Sequence, residues 1–69
     1  MVSKSQIVLY IYSELINHKE IRLDEIVEKF DISIRTFRRY IAEINAYLSN
    51  NFRNQNVSYD QFRNSYILK

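Results

Sequence analysis

The chain has 69 residues, 46% of them hydrophobic, a formal net charge of +2, and no Cys, Gly or Pro. That length makes one domain near the lower limit of what folds unaided, and the missing Cys excludes disulfides and cysteine-based zinc sites and makes a reducing cytoplasm the default. No run approaches the roughly 18 apolar residues of a membrane span, and Glu14 interrupts an N-terminus that lacks a signal-peptide cleavage site.

With neither Gly nor Pro, every turn has to be made by Asn, Asp, Ser or Lys. The first helix is predicted over about residues 5–17, with Ser3 or Ser5 as its N-cap. Ile7, Val8, Ile11 and Leu15 share one face and are the candidate core residues. Leu9, Tyr12 and Ile16 make a second apolar stripe opposite. Either the hairpin strands cover it with Tyr59, Tyr66 and Ile67, or it is a two-fold homodimer interface. "NHKE" (17–20) reads as a polar turn. It holds the only histidine, His18, at a helix C-terminus where a cation is tolerated and no functional role is assigned. "IRL" (21–23) adds a short extended segment.

A second helix is predicted over about 23–30, with Asp24, Glu25 and Glu28 near its positive end and Leu23, Ile26, Val27 and Phe30 on its apolar face. "DIS" (31–33) breaks the pattern, with Asp31 in a left-handed conformation and Ser33 as the next cap. The third helix is predicted over about 34–48, where Phe37, Ile41, Ile44 and Leu48 form one inward stripe. Arg35, Arg39, Ala42 and Ala46 lie opposite, flanked by Thr36 and Arg38. "SNNFRNQN" (49–56) reads as a loop, and "VSYD" (57–60) and "SYILK" (65–69) as a β-hairpin with "QFRN" (61–64) at its tip.

The order is helix, short strand, helix, tight turn, helix, hairpin. That is the mainly α (α+β) winged helix-turn-helix, in one domain over 1–69 with the wing at 57–69. Charge follows the same division. Residues 1–34 carry four cations against six acids, and residues 35–69 six cations against two. A basic second half points to an anionic partner such as nucleic acid.

Together, "IRLDEIVEKFDISIRTFRRYIAEINAYL" (21–48) and "VSYDQFRNSYILK" (57–69) resemble the winged helix-turn-helix of DeoR-type bacterial transcriptional regulators. The same module is found in related regulators with sugar-transport or WYL effector domains. That family's pattern runs through an "LxEIAEKF"-like helix, a turn ending in Ser, a "(S/T)xRTIRRDI" recognition helix and a hairpin. "DISIRTFRRYIAEIN" carries the most specific part of the likeness. Asp31 departs from it where Gly is usual, Phe37 where Ile is typical, and Tyr40 where Asp is common. The resemblance implies double-stranded DNA binding by a repressor or activator on the nucleoid. It does not extend to sugar-phosphate sensing, because the family's effector domain has no counterpart in this sequence. A self-standing regulator and an excised N-terminal domain both fit.

In that geometry the third helix enters the major groove. Resemblance and helical projection place Ser33, Arg35, Thr36, Arg38 and Arg39 outward there, with Arg35 and Arg39 towards bases and the others shared between phosphates and base edges. Gln61, Arg63 and Asn64 at the hairpin tip reach a phosphate strand or the minor groove. Lys4 and Arg22 sit near helix starts that already favour phosphate. Tyr40 flanks the core stripe, with a DNA contact by its hydroxyl as the lesser reading. Phe62 folds back onto the third helix or, less simply, serves as a wedge or partner contact. Taken without context, three arginines on a helix are a solvated face; their position behind a capped turn favours DNA. One His, no Cys and no Gly-rich phosphate loop leave no catalytic triad, metal cluster or cofactor site to assemble, so no enzyme is expected. An excisionase-like architectural factor and a winged-helix protein-interaction module are the alternative functions.

Overall fold

The computed structural model describes residues 2–51 and 54–69. In chain order they form α1 (Lys4–His18), β1 (Glu20–Ile21), α2 (Leu23–Phe30), α3 (Ile34–Asn51), β2 (Val57–Asp60) and β3 (Ser65–Leu68).

Local chemistry sets most of these boundaries. Ser3, and not Ser5, caps α1: its hydroxyl accepts from the Gln6 N–H at 3.3 Å while the Gln6 side-chain oxygen accepts from the Ser3 N–H at 3.4 Å. The helix ends at Lys19, whose left-handed backbone (φ 66°) lets its N–H donate to the Leu15 carbonyl at 2.9 Å. That turn feeds the chain straight into β1. The strand is therefore Glu20–Ile21 and not 21–23, because Arg22 is the extended N-cap of α2 and Leu23 is already helical.

Asp31 closes α2 in the left-handed region (φ 53°, ψ 50°), and the Asp31 and Ile32 N–H groups both donate to the Val27 carbonyl. Ser33 then starts α3. Its hydroxyl accepts from the Thr36 N–H and donates to the Thr36 hydroxyl, each at 3.0 Å. The far end of α3 lies three residues past the expected Leu48, at Asn51, whose side-chain amide donates to the Tyr47 carbonyl at 2.9 Å. The predicted loop thus begins as helix, and its Phe52 and Arg53 lie outside the described residues.

The three strands pair antiparallel in the order β1-β3-β2. β2 and β3 run in register from Val57↔Leu68 to Asp60↔Ser65, and Asn56 and Lys69 extend the ladder with bonds of 3.1 and 2.9 Å. One core gathers Ile7, Ile11 and Leu15 of α1, Ile21, Ile26, the Phe37–Ile41–Ile44–Leu48 stripe of α3, Val57 and Leu68. Three helices with this small sheet make a winged helix-turn-helix.

Two expectations about apolar side chains fail. The hairpin does not cover the second stripe of α1: Leu9 is 65% and Ile16 40% exposed, and Tyr12 packs edge-on against Tyr47 at 6.0 Å. The reason is the sheet order. β3 is central, sends Leu68 into the core and lays Tyr66 on Phe37 at 5.3 Å, so the sheet packs against the core sides of α1 and α3 and leaves the outer face of α1 open. Nor does Phe62 fold back onto α3. It is 100% exposed, because the turn that carries it is held at the hairpin's far end by the Asp60 carboxylate.

Candidate nucleic-acid interface

Arg35, Arg38 and Arg39 stand exposed on the first two turns of α3. At 3.6 residues per turn they share an arc of about 100°. Burial of Phe37, Ile41, Ile44 and Leu48 fixes the helix's rotation and so holds that arc in solvent. Among the described residues none of the three guanidinium groups has an acidic partner. Their N–H donors are free for phosphate oxygens or base edges.

Two cations of other elements that stood among the candidate DNA contacts, Lys4 and Arg63, are engaged. Lys4 reaches across from α1 to Glu43 at 2.8 Å, with its ammonium 5.9 Å from the centre of the half-buried Tyr40 ring. Glu43 stands four residues after Arg39, where it could pair with it along the helix. Lys4 holds that carboxylate instead, and Arg39 stays free. Arg63 of the wing is drawn onto Glu20 of β1 at 2.9 Å. Both pairs are well exposed, so each contributes about 0–1 kcal/mol and exchanges readily for phosphate. Arg22 is exposed and makes no side-chain cap bond.

The predicted residues therefore fall into separate groups. Ser33, Arg35, Thr36, Arg38 and Arg39 come together at the start of α3, and Tyr40 flanks them beside Lys4. The Ser33 hydroxyl is spent on capping, while the Thr36 hydroxyl keeps its own proton to donate. Gln61, Arg63 and Asn64 form a second group at the wing tip, where Asn64 adopts a left-handed φ of 53° and its side-chain oxygen accepts from the Tyr59 hydroxyl. Leu9, Tyr12 and Ile16 lie apart from both groups, on α1.

One positioning residue escapes the sequence reading. The Asn45 amide accepts from the Val57 N–H at 2.7 Å and donates to the Val57 carbonyl at 3.0 Å, tying α3 to the base of the wing as a strand neighbour would. An Asn in mid-helix is a poor helix former, and that was the available signal for a side-chain task. Among the described residues no cluster of His, Asp or Glu could hold a metal ion, and no helix is long and apolar enough to cross a membrane.

A short helix, a tight turn, a helix presenting unpaired arginines and a following hairpin define a DNA-binding helix-turn-helix domain. The model of the Mga helix-turn-helix domain matches residues 1–57, and the chain belongs to that family. The match spans all three helices and the turn, and supports the helix-turn-helix reading without favouring the DeoR-type branch. Comparison with curated proteins found no match, and comparison with solved structures found none either.

Proposed function

We propose that residues 1–69 act as a single winged helix-turn-helix unit, a sequence-specific transcriptional regulator or the DNA-binding domain of one, with α3 in the major groove of duplex DNA. The observation that carries this reading is the set of three unpaired arginines on the first two turns of α3. Arg35 and Arg39 read base edges, where a bidentate guanidinium–guanine pair gives about 1–3 kcal/mol of discrimination. Arg38 and the Thr36 hydroxyl grip phosphates. Ser33 contributes by shaping the helix start, and Arg22, Lys4, Tyr40, Gln61, Arg63 and Asn64 line the flanking backbone. The likeness of "DISIRTFRRYIAEIN" to DeoR-type recognition helices supports the same use of α3 and a cytoplasmic place on the chromosome.

The reading includes a two-fold homodimer. Leu9 and Tyr12, with Val8, Ile44 and Tyr47 and the Glu43 carboxylate at the edge, line a mainly apolar groove of about 370 Å³, and the exposed Ile16 follows Tyr12 one turn along α1. The groove meets α3 about one to two turns beyond Arg39, and a second copy seated there along α1 would present two arginine faces to two half-sites. Sedimentation at tens of micromolar is expected to show a dimer that Leu9→Asp dissociates; a wild-type monomer removes this part of the reading.

Binding-site selection from random duplexes tests the whole. The wild type is expected to enrich a defined duplex, and Arg35→Ala with Arg39→Ala to weaken binding to it by about a hundredfold or more with unchanged folding. Arg38→Ala is expected to lower the slope of log K against log salt by about 0.9. Indifference of the double variant rejects the proposal.

A further inference from the structure

We infer that the wing carries an aromatic wedge: Phe62 enters the minor groove, inserts between base pairs and kinks the duplex that α3 holds. The inference rests on the DNA-binding reading above and adds a deformation of the DNA to it.

Phe62 is the one fully exposed ring among the described residues, and the turn that carries it is built and not slack. The Asp60 carboxylate accepts from the Phe62 N–H at 2.9 Å and from the Arg63 N–H at 3.3 Å. Asn64 closes the turn in a left-handed conformation and accepts from the Tyr59 hydroxyl, and Arg63 anchors the flank to Glu20. Below the tip, Tyr59 packs on Tyr66 and Tyr66 on Phe37, each at 5.3 Å, and Asn45 holds the base of β2. The ring is therefore carried on a braced backbone joined to α3, and little backbone freedom is left to lose on insertion.

Charge argues for a wedge over a phosphate grip. The tip has a single cation, Arg63, which must leave Glu20 to reach a phosphate, and Asp60 beside it adds a carboxylate, so the tip carries no net positive charge. What the tip offers is an apolar ring beside the Gln61 and Asn64 amides. Minor-groove proteins use this combination, with apolar side chains unstacking a base step and polar ones reading the groove edges. Such wedges bend the duplex towards the major groove, the groove assigned to α3. The line Phe37–Tyr66–Tyr59–Asn64 links the tip through successive contacts to Phe37, which lies on the same early turns of α3 as the arginines. One bend would bring both elements onto the same short duplex.

The probe is the duplex that the wild-type chain enriches from a random pool, labelled at its two ends for energy transfer. Wild type is expected to shorten the end-to-end distance by a kink of about 20–90°. Phe62→Ala is expected to straighten the complex and weaken it about tenfold, with an unchanged thermal unfolding midpoint and salt slope, while Phe62→Leu keeps most of the bend. A straight wild-type complex, or a Phe62→Ala complex with the same bend and affinity, overturns the wedge alone and leaves the ring to a protein partner. Failure to enrich any duplex overturns the DNA-binding reading and the wedge with it.

Discussion

On the first two turns of α3 three guanidinium groups stand in solvent without a carboxylate, whereas at the tip of the wing the single arginine is drawn onto Glu20 and a phenyl ring takes the exposed place. Both regions are open to a partner, and they offer it different chemistry. The helix presents long-range, salt-sensitive attraction, and the wing presents shape. Exposure alone therefore says little about a cation's use; what matters is whether an acid from another element reaches it first. Arg39 is spared because Lys4 takes Glu43, and Arg63 is not spared because β1 lies beside the hairpin.

The largest effect is expected where both regions share a support. Phe37 is fully buried, sets the rotation of α3 and carries Tyr66 under the wing. Phe37→Ala should cost about 3–5 kcal/mol, close to the whole stability of a domain this small. Chemical denaturation followed by circular dichroism is expected to find the variant largely unfolded at room temperature. Retention of a cooperative transition within 1 kcal/mol of wild type, on the order of a surface substitution, would remove Phe37 as the common support.

Separating the wing from the helix is a smaller perturbation. Asn45→Ala leaves the Val57 N–H and carbonyl without their partner and should cost about 1–3 kcal/mol. Hydrogen exchange is expected to speed up in β2 more than in α3. Uniform acceleration would show that Asn45 serves general packing and not the joint between the two regions.

The sparing of Arg39 has its own test. Lys4→Ala frees Glu43 to pair with Arg39 along the helix, an interaction of about 0.2–0.5 kcal/mol, and duplex affinity should fall about twofold. Adding Glu43→Gln should restore it. If the second substitution restores nothing, Lys4 acts through its own contact to the DNA backbone alone and not by holding Glu43 away from Arg39. No loss at all is expected at Ser65, whose fully buried hydroxyl has no hydrogen-bond partner among the described residues. Ser65→Ala is expected to leave stability unchanged or to raise it by up to about 1 kcal/mol, read as a higher melting temperature.

Much of the fold was legible because its signals are local. The inward stripe of α3, the acids at the start of α2, Asp31 at a left-handed position and Ser33 as a cap each follow from residues within a turn or two of one another. Strand β1 was displaced by two residues at its end because Leu23 suits either a strand or the first turn of a helix. The end of α3 was underestimated because the Asn51 side chain takes over a carbonyl that the expected loop would have given to solvent.

The sequence by itself determined the class: a helix-turn-helix with its arginines on one face, since helical periodicity and capping chemistry act within a few residues. Tertiary structure alone decided which surfaces are free. The Arg63–Glu20 pair joins residues 43 apart and the Asn45–Val57 bridge residues 12 apart. The uncovered stripe of α1 depends on β3 being the central strand. Such contacts exist only after the core has closed and set distant segments side by side. The same closure leaves Phe62 outside.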